Sequence, residues 1–277
     1  MIHICYPCCH SAKCKHYLYS SIDSVAKYNK NITVSLLNSI GPDGNMEFND
    51  DDIEIYRQIL AKHGIKTPLR VFDVSLVIDK FHNCRPLKGQ WNAYKRLLIH
   101  KIYNVYMPKV KRVLYLDEDT VCIGSLKKLY NENMKGRPYM GFIDGSIYKH
   151  QIFTFECKLT NNNDYINSGV LLIDVTYDID SLLKELVPKA EKWHKFFLRY
   201  LHDQTIINAC HPAYFECSMI DMIHGVSSMK YYTDIINATI DEYNIIHYWG
   251  HKKRKNLKTN DKVDRIVRHI LNTAPSG

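Results

Sequence analysis

The sequence predicts an α/β fold: one mainly parallel, Rossmann-like sheet flanked by helices. Three observations carry that expectation. Short apolar, β-rich runs alternate with amphipathic segments through the first half of the chain, the pattern that builds parallel strands joined by helical crossovers. The 277 residues are 45% hydrophobic and 24% charged, an ordinary balance for a chain with a sizeable core. No Pro/Gly/Ser-rich linker and no internal repeat divides it, so residues 1–277 read as a single domain with a basic C-terminal segment over 251–277.

Ile2 to Tyr6 reads as the first strand. Leu18, Ile22 and Val25 recur at helical spacing through Tyr17 to Asn29, and Ile32 to Leu37 returns to a strand pattern, completing a βαβ unit. The turn-rich, acidic stretch from Gly41 to Asp52 leads into a helix with Ile55, Ile59 and Leu60 on one face, ended at Gly64. Leu69 to Val77 predicts a strand, Trp91 to Tyr103 a helix, and Lys111 to Leu116 a strand that stops in acidic residues. Tyr139 to Ile143 and Ile166 to Val175 predict strands, Ile179 to Leu201 a long helix, and Asn244 to Trp249 a late strand. Chemistry in such sheets gathers where strands end.

The formal charge of +8 is concentrated near the C-terminus, in His251, Lys252, Lys253, Arg254, Lys255 and Lys258. A solvated basic tail and a peripheral contact with an anionic membrane both fit that cluster. A basic nucleic-acid-binding protein is the alternative from another class. It lacks basic and aromatic interleaving on a recognisable module, so no nucleic-acid partner is expected. No window approaches the ~18 to 20 apolar residues of a membrane span, and the N-terminus lacks the regions of a signal peptide, so the expected location is cytoplasmic. Nine irregularly spaced cysteines fit reduced thiols. His3, Cys5, Cys8, Cys9, His10, Cys14 and His16 crowd together, but their spacing is not that of a zinc finger or ribbon.

The most informative stretch is Arg112 to Leu126, RVLYLDEDTVCIGSL, in which an apolar strand delivers Asp117 and Asp119. In an extended backbone alternate side chains point the same way, so these two carboxylates can share one cation while Glu118 faces elsewhere. Such a cation can bridge a diphosphate, although an isolated D-x-D is more often an acidic turn. Three later segments add weight. Tyr165 to Asp174, YINSGVLLID, places Asn167, Ser168 and Gly169 before an apolar strand, where backbone and amide groups can grip a polyhydroxylated ligand. His202 to Asn208 offers Asp203 and Gln204 at a helix N-terminus, where Asp203 also suits an N-cap. His247-Tyr248-Trp249-Gly250 is followed by Lys253.

In order and spacing these four segments resemble glycosyltransferase family 8, which includes bacterial lipopolysaccharide galactosyl- and glucosyltransferases and glycogenin. The match runs from about Tyr94 to Lys253. The resemblance implies a GT-A-type domain and a retaining transferase that moves a hexose from UDP-glucose or UDP-galactose to a glycan or protein acceptor. It implies that Asp117, Asp119 and His247 hold a metal, that Asp203 and Gln204 lie near the anomeric carbon, and that Gly250 and Lys253 hold the diphosphate. Arg96, in Tyr94-Lys95-Arg96-Leu97-Leu98, matches an arginine that contacts the donor; Asn167, Gly169 and, more loosely, Asp144 match positions beside its sugar. The chain departs from the family at Tyr6 to Ser11, where a polar loop contacts the base, leaving Tyr6 and Cys8 as candidates. Lys253 is followed by Arg254 and Lys255 where the family has proline and tryptophan.

Carboxylate and imidazole ligands together suit Mn²⁺ better than Mg²⁺, which prefers oxygen and retains water. The 20 tyrosines invite a glycogenin-like self-glycosylation reading, against which stand codon bias and strand preference.

Overall fold

The computed structural model describes residues 1–7, 12–40, 44, 46–75, 96–143, 166–177, 215–217, 222–224 and 244–247, with single positions 181, 184 and 188. The helix expected over 179–201 falls almost wholly outside them, as does the basic segment 251–277.

β1 (Ile2–Pro7) and β2 (Ile32–Asn38) run parallel, paired from Ile2 with Ile32 to Pro7 with Leu37. All seven residues of β2 are buried, as expected for a strand covered on both faces. Between them α1 (Ala12–Tyr28) lays Leu18, Ile22, Val25 and Ala26 on the sheet and begins earlier than its apolar spacing announces. α2 (Asp50–Lys62) opens with a capping box: Asp52 N donates to Asn49 Oδ1 at 2.9 Å and Asn49 N to Asp52 Oδ2 at 3.1 Å. Gly64, at φ 72°, adopts the left-handed conformation that ends the helix. Its buried face is Ile53, Tyr56, Ile59 and Leu60, with Ile55 only partly buried. The aromatic ring of Tyr56 meets Tyr19 and Phe48 there, which apolar counting alone overlooked.

β3 (Arg70–Asp73) is shorter than the predicted strand, because Asp73 turns to accept a hydrogen bond from Ser75 N at 3.0 Å. The helix read from Trp91 appears instead as a 3-10 turn, Arg96–Leu98, running into α3 (Ile99–Tyr106); residues 91–95 lie outside the described set. Then come β4 (Arg112–Leu116), β5 (Thr120–Cys122), α4 (Lys127–Tyr130), β6 (Tyr139–Ile143), β7 (Ile166–Asp174), β8 (Phe215–Cys217), β9 (Met222–His224) and β10 (Ile245–His247).

The main sheet has seven strands in the order β3-β2-β1-β4-β7-β6-β8, and β5-β10-β9 form a second, smaller sheet. The main sheet is mostly parallel, with β7 antiparallel to both its neighbours. β7 also carries the irregularity that matters most. Against β6 its pairing jumps from Gly141 with Leu171 to Phe142 with Asn167, so Ser168, Gly169 and Val170 bulge from that ladder.

The core packs Ile4, Val34, Leu36, Leu114 and Leu172 of the sheet against Leu18, Ile22 and Val25 of α1. Each such side chain contributes about 1.5–3 kcal/mol by leaving water. Cys5 and Cys122 are buried free thiols, and burial pushes the Cys122 thiol up to about 12. Among the described residues no helix is long and apolar enough to cross a membrane.

Candidate metal centre

β4 ends at Leu116, and the chain then turns: Asp117 O accepts from Thr120 N at 3.2 Å and from Thr120 Oγ1 at 2.8 Å. The two aspartates are therefore brought to one side by a turn, not by the alternation of an extended strand. Burial, with the charges of Asp117 and Asp119 added, pushes the Glu118 carboxyl up to about 8.

Polar side chains of α1 clamp this segment. Ser21 Oγ lies 3.0 Å from Thr120 Oγ1, Ser24 Oγ accepts from Cys122 N at 2.9 Å, and Asn29 Oδ1 accepts from Leu126 N at 2.8 Å. Tyr6 joins the same network, its hydroxyl 3.0 Å from Ser21 Oγ. Its side chain is fully buried in the core.

The β7 bulge supplies the floor. Asp117 N donates to Gly169 O at 2.7 Å, and Gly169 N donates to Asn167 Oδ1 at 2.7 Å, so the Asn167 amide oxygen is engaged in shaping the bulge. Arg96 crosses above it, with Nη1 donating to Ser168 O at 2.7 Å and Ser168 Oγ at 2.6 Å, and its guanidinium over the Tyr115 ring at 5.1 Å. Its Nη2 sits 3.2 Å from Asp117 Oδ1, the same oxygen that accepts from the Tyr115 hydroxyl at 2.8 Å. The two oxygens of Asp117 are thus divided: Oδ1 is held by Tyr115 and Arg96, and Oδ2 faces His247 at 3.9 Å.

His247 arrives on β10, which pairs antiparallel with β5 so that His247 stands opposite Thr120. Its Nε2 is 3.1 Å from Asp119 Oδ1, and one ligand atom from each of Asp117, Asp119 and His247 lies within 4.8 Å of the others. Two carboxylate oxygens and an imidazole nitrogen form a donor set suited to a divalent cation. The space beside them is kept by the absence of a side chain: a Cβ on Gly169 would come within 2.2 Å of His247 Cε1 and 2.9 Å of Asp117 Oδ2. Electrostatics agree. Burial holds the Asp117 carboxyl above the usual carboxylate range and Asp119 adds to this, against Arg96, His247 and the Tyr115 hydroxyl. A bound cation relieves that strain.

The fold therefore gathers Asp117, Asp119, His247, Arg96, Asn167 and Gly169 in one place. Asp144, Asp203, Gln204, Gly250, Lys253 and Cys8 lie outside the described residues. Sequence reasoning passed over Tyr115 and Thr120. Tyr115 had a signal, standing in the strand two residues before Asp117, where an extended backbone would predict a shared face.

A family model described as glycosyl transferase family 8 matches residues 13–254. Lipopolysaccharide 1,2-glucosyltransferase of Escherichia coli is 26% identical over 240 residues, covering 80% of this chain and 66% of that relative. Among solved structures, galactosyltransferase LgtC in complex with donor and acceptor sugar analogs aligns over 100% of this chain and 97% of its own, with TM-score 0.71 and 17% identity. Mouse xyloside xylosyltransferase 1 aligns over 91% of this chain and 98% of its own, with TM-score 0.57 and 17% identity. At such identities the likeness is one of fold, and the fold is the GT-A type.

Proposed function

The chain belongs to glycosyltransferase family 8, and from that premise we propose that it moves a hexose, glucose or galactose, from a UDP-sugar to an acceptor hydroxyl with retention of anomeric configuration. The observation that carries this reading is the convergence of Asp117, Asp119 and His247 over the bare backbone of Gly169. A divalent cation held there, Mn²⁺ before Mg²⁺, would offset the negative charge that grows on a departing nucleoside diphosphate.

The chain's own residues would do the rest. Arg96 and Tyr115 fix the Asp117 carboxylate, and Asn167 holds the bulge whose backbone borders the donor sugar. Lys253, with Gly250 permitting close approach, would grip the diphosphate. Asp203 and Gln204 would face the positive character that develops on the sugar ring, with Asp144 on its hydroxyls. Front-face attack by the acceptor hydroxyl is the favoured course, and a transient glycosyl-enzyme the rival.

The choice of sugar follows the relatives' names. One names a glucosyltransferase and one a galactosyltransferase, while the mouse protein, a xylosyltransferase, has the same fold, so the fold by itself does not select the sugar. A lipopolysaccharide-like glycan is the acceptor that the first of those names favours, in a cytoplasmic protein that touches the membrane through its basic C-terminal segment.

A panel of UDP-sugars assayed for UDP release with and without Mn²⁺ tests the reading, since slow transfer to water needs no acceptor. Asp117→Asn should lower Mn²⁺-dependent release by at least about 100-fold with little change in melting temperature. Full turnover in that variant would remove the metal role.

A further inference from the structure

Beside the β3 edge of the main sheet lies a groove of about 660 Å³, lined in part by Arg57, Arg70, Phe72, Tyr106 and Lys109. It is separate from the metal centre. β3, β2, β1 and β4 run parallel, and the groove takes its walls from β3 and from Met107 to Val110, the segment entering β4 at its N-terminal end. Asp117 follows the other end of β4. The five residues of β4 separate the Met107 to Val110 wall from Asp117, roughly 15 Å along the strand.

Two properties describe a ligand. Phe72 and Tyr106 stack with ring centroids 4.8 Å apart and planes 8° from parallel, and the Tyr106 hydroxyl donates to Asp73 O at 2.7 Å. The Tyr106 ring is thereby fixed while remaining 44% exposed, with Val105 beside it 63% exposed. A locked aromatic face backed by a second ring is a platform for the apolar face of a sugar. The other property is charge. Among the described residues Arg57, Arg70 and Lys109 line the groove and no carboxylate does. Arg57 meets Glu54 at 3.6 Å, a pair exposed on both sides, and among the described residues Arg70 and Lys109 have no ion-pair partner.

We propose that this groove binds a phosphorylated saccharide, with a sugar ring against Tyr106 and the phosphate held by Arg70, Lys109 and Arg57. Guanidinium groups suit that anion because their N–H donors match phosphate oxygens in pairs. The volume falls within the about 300–1,000 Å³ of small-ligand sites, and concavity favours a discrete ligand over a flat bilayer. The saccharide half rests on the transferase reading, in which a glycan is the acceptor. Tethering the acceptor here would raise its effective concentration at the distant metal centre.

Calorimetric titration of the full chain with trehalose 6-phosphate, trehalose and inorganic phosphate, at matched ionic strength, tests the assignment. The phosphorylated disaccharide should bind at least about tenfold more tightly than either part alone, because both halves of the groove must be filled. Saturating UDP with Mn²⁺ should not displace it. Arg70→Gln with Lys109→Gln should weaken binding about tenfold or more, and Tyr106→Leu several-fold, while UDP release to water stays at the wild-type rate. Equal binding of phosphate alone, displacement by UDP, or indifference to these substitutions would overturn the proposal. So would sedimentation with phosphatidylglycerol vesicles that the same substitutions abolish while no saccharide binds, which would make this a lipid-facing surface. Binding is read without donor or turnover, so its failure leaves the transferase reading standing, and loss of UDP release leaves this site standing.

Discussion

The two sheets each deliver part of the candidate metal centre, and they are held by different forces. The seven-stranded sheet places Asp117 and Gly169 with long ladders and a continuous apolar core, in which the loss of one contact is shared among many neighbours. The smaller sheet places His247 with three strands of three residues each, docked on a segment clamped by Ser21, Ser24 and Asn29 of α1. One region gives stability to the chain. The other gives aim to a ligand, and depends on a handful of directional hydrogen bonds.

Substitutions should separate these roles. The largest effect belongs at their junction: Gly169→Ala puts a methyl group into His247, so Mn²⁺ affinity and UDP release should both fall by at least about 100-fold while the melting temperature changes little. Calorimetry and UDP release read this directly, and near-normal metal affinity would mean that the two sheets yield to one another. Leu114→Ala should do the reverse, lowering unfolding free energy by about 2–5 kcal/mol while the folded fraction keeps its metal affinity.

Acid should probe the main sheet too. His100, fully buried against Tyr139, has its pKa lowered by burial to about 4. The unfolded chain takes up this proton near pH 6.5, so protonation favours unfolding. Stability is undiminished above about pH 6.5 and is lost as pH falls toward 4, by on the order of 3 kcal/mol. Denaturant midpoints across that range should show the slope, and His100→Phe should flatten it. Smallest is Asn29→Ala, which leaves Leu126 N without its acceptor; about 1–3 kcal/mol of stability and roughly tenfold in metal affinity should go together. A stability loss with no change in affinity would show that the clamp does not aim the site.

The same contrast explains what was legible in the sequence. β1, β2, β4, β6 and β7 announce themselves because burial on both faces writes a run of apolar residues. β5, β8, β9 and β10 have three residues each, too short for any periodicity, and only β10 fell within an expected strand. Asp117, Asp119 and His247 were legible as a pattern. Their geometry was not: a turn closed by Thr120 and a bulge at Ser168 to Val170 arise from tertiary pairing, which local sequence does not encode. Tyr6 was named from its place at the end of the first strand, and the hydrogen bond of its hydroxyl with Ser21 inside the core was not legible there.

The bulge in β7 turns strand length into a specification. Its surplus residues let Leu171 to Ile173 keep their places beside β4 while Gly169 reaches across to Asp117. Removing a single residue between Asn167 and Val170 would carry Asn167 to the opposite face and draw the Gly169 carbonyl away, with the apolar half of the strand undisturbed. Along this stretch spacing is as constrained as chemistry: a change of length there would leave a folded chain whose Asp117, Asp119 and His247 no longer converge.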